Sequence, residues 1–163
     1  MNSNTSDNPK IILREGSQDD LPEMLQLFQD TIITVCKADY SADQLNAWKS
    51  GAENRERWDS VIREQYIVVA EAENTIAGFC TLDQGNYIDL LFVHKDYQHQ
   101  GIASQLYQSI EKEAFRKNQK FITANVSKTA KPFFESKGFK IIQEQTVSVK
   151  GIELTNYKME KHL

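Results

Sequence analysis

Cysteine, histidine and proline are scarce in this chain, with two, three and three copies among 163 residues. Cys36 and Cys80 sit in separate apolar settings and form no Cys-x-x-Cys pair, so they read as buried free thiols of a protein kept in a reducing compartment. His94, His99 and His162 share no ligand spacing, which argues against zinc, and no metal is expected. Basic charge is not in excess: 19 Lys and Arg face 23 Asp and Glu, a net charge of -4. The electrostatic footprint of a nucleic-acid binder is therefore missing. No apolar run approaches the length that spans a bilayer. Met1 to Pro9 is rich in Asn, Ser and Asp and lacks the apolar stretch of a secretory signal, so residues 1–9 read as a flexible tail. Repeats, low-complexity blocks and Pro/Gly-rich linkers are lacking too, leaving one domain over residues 10–163. The expected location is the cytoplasm, with neither nucleic acid nor membrane as partner.

What is present suits a folded domain. Hydrophobic residues make up 40% of the chain, enough for a sizeable core. Ile11 to Arg14 predicts a first strand. Ser17 with Asp20 reads as a capping box, with Pro22 in the first helical turn. Leu21, Leu25, Phe28, Ile32 and Val35 then follow at helical spacing, giving one buried face. A second short helix is predicted from Ser41 or Asp43 through Trp48, and a third from Glu53 to Glu64 with Trp58, Val61 and Ile62 inward. Residues 66–70, 76–82 and 87–93 read as three strands joined by tight turns, an antiparallel meander. Ile102, Leu106, Ile110 and Ala114 mark the buried stripe of the next helix. A strand over 120–126 and a short helix over 128–137, ended by Gly138, come next. A hairpin of 139–149 and 152–159 closes the chain. Apolar parity in its last strand slips between Leu154 and Tyr157, which predicts a bulge or strand end near Asn156. The fold class is α+β: a mixed, mostly antiparallel sheet with helices on both faces.

The junction Gln98-His99-Gln100-Gly101-Ile102-Ala103 leads from a buried strand into a helix start. Helix N-termini expose unpaired N–H groups and a positive dipole end, which suits phosphate. Gly101 permits unusual backbone angles and close ligand approach, Ala103 is small, and Ser104 adds a hydroxyl. Taken alone, the pattern also suits a turn that needs glycine for geometry only. A Gly-Lys-Ser/Thr sequence is missing, as is a G-x-G-x-x-G fingerprint, so Walker and dinucleotide loops are not indicated.

The stretch from Asp89 to Leu106 resembles the central motif of the GNAT superfamily of acyl-CoA N-acyltransferases. The motif ends a strand in L-x-V, here Leu91-Phe92-Val93, and continues in a Gln/Arg-x-x-Gly-x-Gly/Ala loop, here Gln98 to Ala103. Ala130-Lys-Pro-Phe-Phe-Glu-Ser-Lys-Gly-Phe139 resembles the family's A-x-x-F-Y-x-x-x-G-F segment, and the element order is similar from about Ile11 to Met159. Asp39-Tyr40-Ser41 followed by Ala47-Trp48 is similar to a poorly characterised bacterial subgroup.

The resemblance implies a GNAT-like sheet whose central strands, 87–93 and 120–126, splay to admit the pantetheine arm of acetyl-CoA, a co-substrate, beside Leu91, Phe92 and Val93. The N–H of Val93 would polarise the thioester carbonyl, and the N–H groups of Gln98, His99, Gln100, Gly101, Ile102, Ala103 and Ser104 would hold the pyrophosphate. Relatives often carry Arg in this loop; here Lys95 or His99 would add partial charge. Relatives often carry Glu on the central strand, and Tyr87 or Asp89 is the counterpart as general base. Alternation places both on the face of Leu91 and Val93. An Asp in an apolar strand is costly unless solvated or paired, so a structural ion pair is the other reading of Asp89. The usual acid, a Tyr on the later helix, is replaced by Phe134, leaving Tyr157, Tyr40 or a water. Phe133 and Phe134 would pack on the cofactor arm, and Ser127 stands where many relatives have Asn near the pantetheine. Tyr40 and Trp48 would line the acceptor side, where Asp39, Asp43 and Asp89 would attract a cationic amine. The partner implied is an amine, on a small molecule or a protein, and a homodimer stays open. The implied function is acetyl-CoA-dependent N-acetyl transfer by direct attack in a ternary complex; the alternative is a CoA-binding regulatory or interaction module without catalysis.

Overall fold

The computed structural model describes residues 9–163. The tail read at 1–9 lies, apart from Pro9, outside them. The strands are β1 (Ile11–Glu15), β2 (Tyr66–Ala72), β3 (Thr75–Asp83), β4 (Tyr87–Val93), β5 (Phe121–Ser127), β6 (Lys140–Val149) and β7 (Ile152–His162). The helices are α1 (Leu21–Val35), α2 (Ala42–Lys49), α3 (Arg55–Glu64), α4 (Ile102–Arg116) and α5 (Lys131–Ser136), with short 3-10 turns at 18–20, 50–53 and 95–97. Local chemistry explains many of the ends. Ser41 caps α2, its hydroxyl accepting from Gln44 N–H at 3.2 Å while the Gln44 side chain accepts from Ser41 N–H at 2.9 Å. Glu73 and Asn74 both take positive φ, which closes β2 onto β3 in a primed two-residue turn.

The seven strands form one sheet in the order β1-β2-β3-β4-β5-β7-β6. Every neighbouring pair is antiparallel except β4 and β5. Helices α1, α2 and α3 cover one face, burying Met24, Phe28, Ile32, Trp58 and Phe79. Helices α4 and α5 cover the other, burying Ile102, Leu106, Ile110, Ile122 and Phe134. The sheet is thus sandwiched between two apolar cores.

Three expectations need correction. The buried stripe of α1 runs through Met24, Leu27, Phe28, Thr31 and Ile32, whereas Leu21, Leu25 and Val35 are only partly covered. The helix is rotated so that Met24 and Leu27 meet the sheet. The segment 128–137 is helical only over Lys131–Ser136, because Ser127 Oγ takes the N–H of Ala130 at 3.1 Å and makes residues 128–130 a turn. Strand β7 has no break near Asn156; its pairing runs in register with β5 from Ser127↔Asn156 to Phe121↔His162. Its apolar parity slips because Ile152 and Leu154 join the core under α1–α3 while Tyr157 and Met159 join the core under α4. The irregularity of this hairpin lies on β6, between Ile141 and Gln143.

Helix α4 reaches the sheet over a glycine. A Cβ on Gly78 of β3 would stand 3.0 Å from the Phe92 carbonyl oxygen, 3.1 Å from a Leu106 methyl and 3.2 Å from an Ile102 methyl. The helix therefore begins as close to β3 and β4 as its own side chains allow. Gly78→Ala should destabilise the fold by about 1–3 kcal/mol through overpacking, read by urea denaturation. Unchanged stability would mean that α4 is not held by this contact.

Candidate active site

The two central strands part almost as soon as they meet. Strands β4 and β5 are paired only at Tyr87↔Thr123 and Ile88↔Ala124. The next residue, Asp89, is the extra residue of a bulge: Leu82 faces Ile88 and Thr81 faces Leu90, leaving Asp89 without a partner on β3. Leu90 N–H donates instead to the Thr81 hydroxyl at 3.1 Å. Bulges bend and over-twist the strand that carries them, so β4 follows β3 and swings away from β5. The resulting cleft, about 990 Å³ in volume, is lined on one side by residues 88–93 and on the other by residues 124–127.

His94 N–H donates to Ala77 on β3 at 2.8 Å. Alternation along an antiparallel strand then turns the N–H groups of Val93 and Leu91 toward the gap, where β5 supplies no partner. The Val93 carbonyl, on the same side, is taken by the Thr31 hydroxyl at 3.1 Å and the Gln98 amide at 2.6 Å. One end of the gap is thereby pinned to α1 and to the loop that follows.

That loop ends in the helix start. His99 and Gly101 both have positive φ, 60° and 78°, and such reversals turn successive N–H groups toward one side. Gly101 is the N-cap of α4 and no side chain caps the helix. Its carbonyl accepts from Gln105 N–H at 3.1 Å, while the N–H groups of Ile102, Ala103 and Ser104 have no acceptor among the described residues. Nothing lies within 4 Å of the place where a Gly101 Cβ would be, so the glycine serves the backbone angle and leaves the approach open. Gln98, His99, Gly101, Ile102, Ala103 and Ser104 line the cleft; Gln100 does not.

The opposite end of the cleft lies under α1–α3. The Asp89 carboxylate accepts two hydrogen bonds from the Arg57 guanidinium, each 2.9 Å, and one from the Gln65 amide at 2.8 Å. Its side chain is 11% exposed against 43% for Arg57, and the pairing raises the guanidinium pKa. The bulge has a second consequence here. Ile88 and Leu91 both face the α4 core, whereas Leu90 and Phe92 face the α1–α3 core, so strand parity inverts at Asp89. Tyr87 and Asp89 therefore lie on the face opposite Leu91 and Val93, contrary to the simple alternation. Tyr87 accepts from Asn125 at 3.1 Å, and Asn125 accepts from Gln145 at 2.9 Å. Burial, reinforced by the Asp89 carboxylate, pushes the Tyr87 phenol above its ordinary pKa.

Of the other residues singled out in the sequence, Phe133, Phe134 and Ser127 line the cleft, as do Tyr40 and Trp48. Phe134 is buried edge-to-face between Phe133 and Phe139, with centroids at 5.6 and 5.0 Å. Tyr40 donates to the Thr155 carbonyl at 2.8 Å and accepts from Lys128 N–H at 2.9 Å; burial raises its phenol pKa. Its ring meets Trp48 edge-on at 5.5 Å. Tyr157 and Tyr87 do not line the cleft, and Tyr157 lies under the ammonium of Lys131, 4.9 Å from the ring centre. Asp39 is bonded by the Thr129 hydroxyl at 2.8 Å, and neither it nor Asp43 reaches the cleft. Sequence reasoning missed Arg57, Thr81 and Asn125. Only Asn125 carried a signal, as a polar residue among the alternating apolar positions of β5.

The sheet is thus parted at its centre, with helix-start N–H groups left without acceptors among the described residues at one end of the gap. The family model described as an acetyltransferase (GNAT) domain matches residues 36–161. The chain is 30% identical over 149 residues to the uncharacterized N-acetyltransferase YafP of Escherichia coli, covering 91% of this chain and 94% of that protein. It superposes on a GCN5-related N-acetyltransferase structure from Rhodopseudomonas palustris with TM-score 0.90, at 29% identity and 96% coverage of each chain. It has the fold of the PaiA N-acetyltransferase of Thermoplasma acidophilum, determined in complex with coenzyme A, with TM-score 0.78 at 19% identity, covering 94% of this chain and 99% of that one. The chain belongs to the GNAT acetyltransferase family and is an acyltransferase.

Gly101→Val places a β-branched side chain at φ 78°, where it costs about 1–3 kcal/mol of strain. The loop should relax by turning its N–H groups away, and CoA affinity measured by calorimetry should fall at least about tenfold. Unchanged affinity would remove this loop as the phosphate site.

Proposed function

We propose that the protein transfers the acetyl group of acetyl-CoA to a primary amine by direct attack in a ternary complex. The observation that carries this reading is the continuity of the cleft: helix-start N–H groups without acceptors at one end, unpaired strand N–H groups along the gap, and a part lying under α1–α3 at the other end. Acetyl-CoA supplies an acyl carbon already activated as a thioester. The N–H groups of Ile102, Ala103 and Ser104, with those of Gln98, His99 and Gly101 beside them, hold the pyrophosphate, whereas Gln100 does not line the cleft. Leu91 and Val93 offer their N–H groups to the pantetheine amide and the thioester carbonyl, the second as an oxyanion donor. Phe92, Phe133 and Phe134 give apolar contact. Ser127, whose oxygen already accepts from Ala130, keeps its proton free to donate to the arm.

In the transfer, a C–N bond forms to the amine and the C–S bond breaks. One proton leaves nitrogen and one is taken up by the departing sulfur. Holding both reactants in one cleft supplies much of the rate. Asp89 is the carboxylate nearest to hand for the first proton, received through water, with Arg57 and Gln65 fixing its orientation. Tyr87, kept protonated by its surroundings, extends the polar path toward Asn125. A water returns a proton to sulfur, since Tyr157 does not line the cleft. Tyr40 and Trp48 form part of the acceptor wall. One observation favours the second reading, a CoA-binding module: Phe134 brings a buried ring and no hydroxyl to the place of the usual acid. Free thiol followed during incubation with acetyl-CoA and an amine panel separates the two, since a module binds CoA and releases none.

Asp89→Asn tests the base. If Asp89 receives the proton, kcat/KM at neutral pH falls about 100-fold and recovers as pH rises, with CoA affinity kept. If the residue only braces α3 through Arg57, thermal stability drops and the pH profile keeps its shape.

A further inference from the structure

The pocket under α1–α3 has a charge inventory that selects among amines. Among the described residues that line the cleft, the Lys, Arg, Asp and Glu side chains come to Arg57 and Asp89 alone. These two cancel through a two-pronged pair, and Gln65 takes a further lone pair of the carboxylate. Nothing free and negative remains to hold an ammonium. Just outside the lining stands one charge of each sign: the Lys128 ammonium, 5.5 Å from the centre of the Tyr40 ring, and the Asp39 carboxylate, occupied by the Thr129 hydroxyl at 2.8 Å. The reachable apolar walls are Val35, Trp48, Phe92, Val147 and Val149, with Thr155 and Asn156 beside them. Trp48 and Phe92 stand 6.3 Å apart at a tilt, and Phe92 packs edge-on at 4.9 Å against Phe28 on the floor.

The pocket is also roofed. The β6–β7 hairpin is tied to the segment around α2 by Gln44 donating to the Glu153 carbonyl at 2.9 Å and by Tyr40 donating to the Thr155 carbonyl at 2.8 Å. Lys150 at the hairpin tip also lies 3.6 Å from Glu53, the residue that ends the 3-10 turn after α2. A long chain would have to pass beneath these straps.

Resting on the acetyl-transfer reading, we propose that the acceptor is a small-molecule primary amine carried on a single apolar body, and that polycationic amines and polypeptides are excluded. Every extra cation of a polyamine or aminoglycoside would lose water against apolar walls with no opposite charge to replace it. A single amine on an alkyl or arylalkyl body instead buries that body against Trp48, Phe92 and the β6 valines. The same desolvation favours the uncharged amine, which is the nucleophile, so the pocket itself does part of the work of a base.

The test uses the full chain with saturating acetyl-CoA. Thiol release is followed with phenethylamine, hexylamine, spermidine, kanamycin and a hexapeptide with a free N-terminal alanine. In parallel, binding of the same amines to the CoA complex is followed by calorimetry. Phenethylamine or hexylamine should exceed spermidine, kanamycin and the peptide by at least about 30-fold in kcat/KM, a difference of about 2 kcal/mol. Trp48→Ala and Val149→Asp should each raise the KM for phenethylamine about tenfold with the KM for acetyl-CoA within about twofold. Preference for spermidine, kanamycin or the peptide overturns the inference and leaves acetyl transfer standing. Tight, Trp48-dependent binding of phenethylamine to the CoA complex with no thiol release upholds the acceptor class and overturns catalysis. Neither turnover nor binding of the apolar amines overturns the inference outright.

Discussion

The hydrogen bond from Leu90 N–H to the Thr81 hydroxyl underlies the site. It replaces a ladder bond that the extra residue, Asp89, has put out of register. Thr81 is fully buried, so without that hydroxyl the amide would be orphaned in the core. Because the side chain satisfies it, the bulge is tolerated at the centre of a seven-stranded sheet. The bulge then does two things at one residue. It ends the pairing of β4 with β5, which opens the cleft, and it inverts the parity of β4, which turns Asp89 toward α3 while Leu91 and Val93 face α4. A straight β4 would offer neither the gap nor the division of its two sides.

The polar groups around the gap are economical. Gln98, Thr31 and Tyr40 each spend a side chain on a backbone group: the Val93 carbonyl for the first two, the Thr155 carbonyl and Lys128 N–H for the third. These bonds are framework. The helix-start N–H groups of α4 are left open because the cap residue, Gly101, has no side chain to accept from them, where a Ser or Asp would have answered them. Gly78 lets that helix start press close on β3, so the open N–H groups arrive beside the strand that parts from its neighbour.

Much of this was legible in the sequence, and the parts that were not share a cause. The hairpin turns, the presence of α2 and the stripe of α4 are set by residues within a few positions of one another, and they stand as read; of the two starts open for α2, Ser41 or Asp43, the structure has Ser41 as the cap. The family motifs, too, are local strings. The bulge at Asp89 depends on a threonine of the neighbouring strand, and the Arg57–Asp89 pair joins positions 32 apart; neither leaves a mark in the local pattern. The parity slip of β7 was visible but ambiguous. A bulge and a strand shared by two cores write the same residues, and here the strand is shared. The phase of α1 was missed because apolar residues flank its stripe on both sides, and only the sheet decides that Met24 and Leu27 turn in while Leu25 stays partly covered.

The Tyr40–Thr155 bond spans 115 residues of chain, and it shows how the enzyme is divided along its length. The proposed cofactor grip is drawn from the middle of the chain, residues 91–104 and 124–134, whereas the proposed acceptor walls, Phe92 apart, come from its two flanks, residues 28–58 and 147–156. A ribosome therefore makes the middle of the chain before the far wall of the cleft, and that wall is tied to the near one by the Tyr40 phenol and the Gln44 amide. Such a layout lets descendants of one ancestor change what they acetylate by altering the flanks while the middle of the chain is inherited intact.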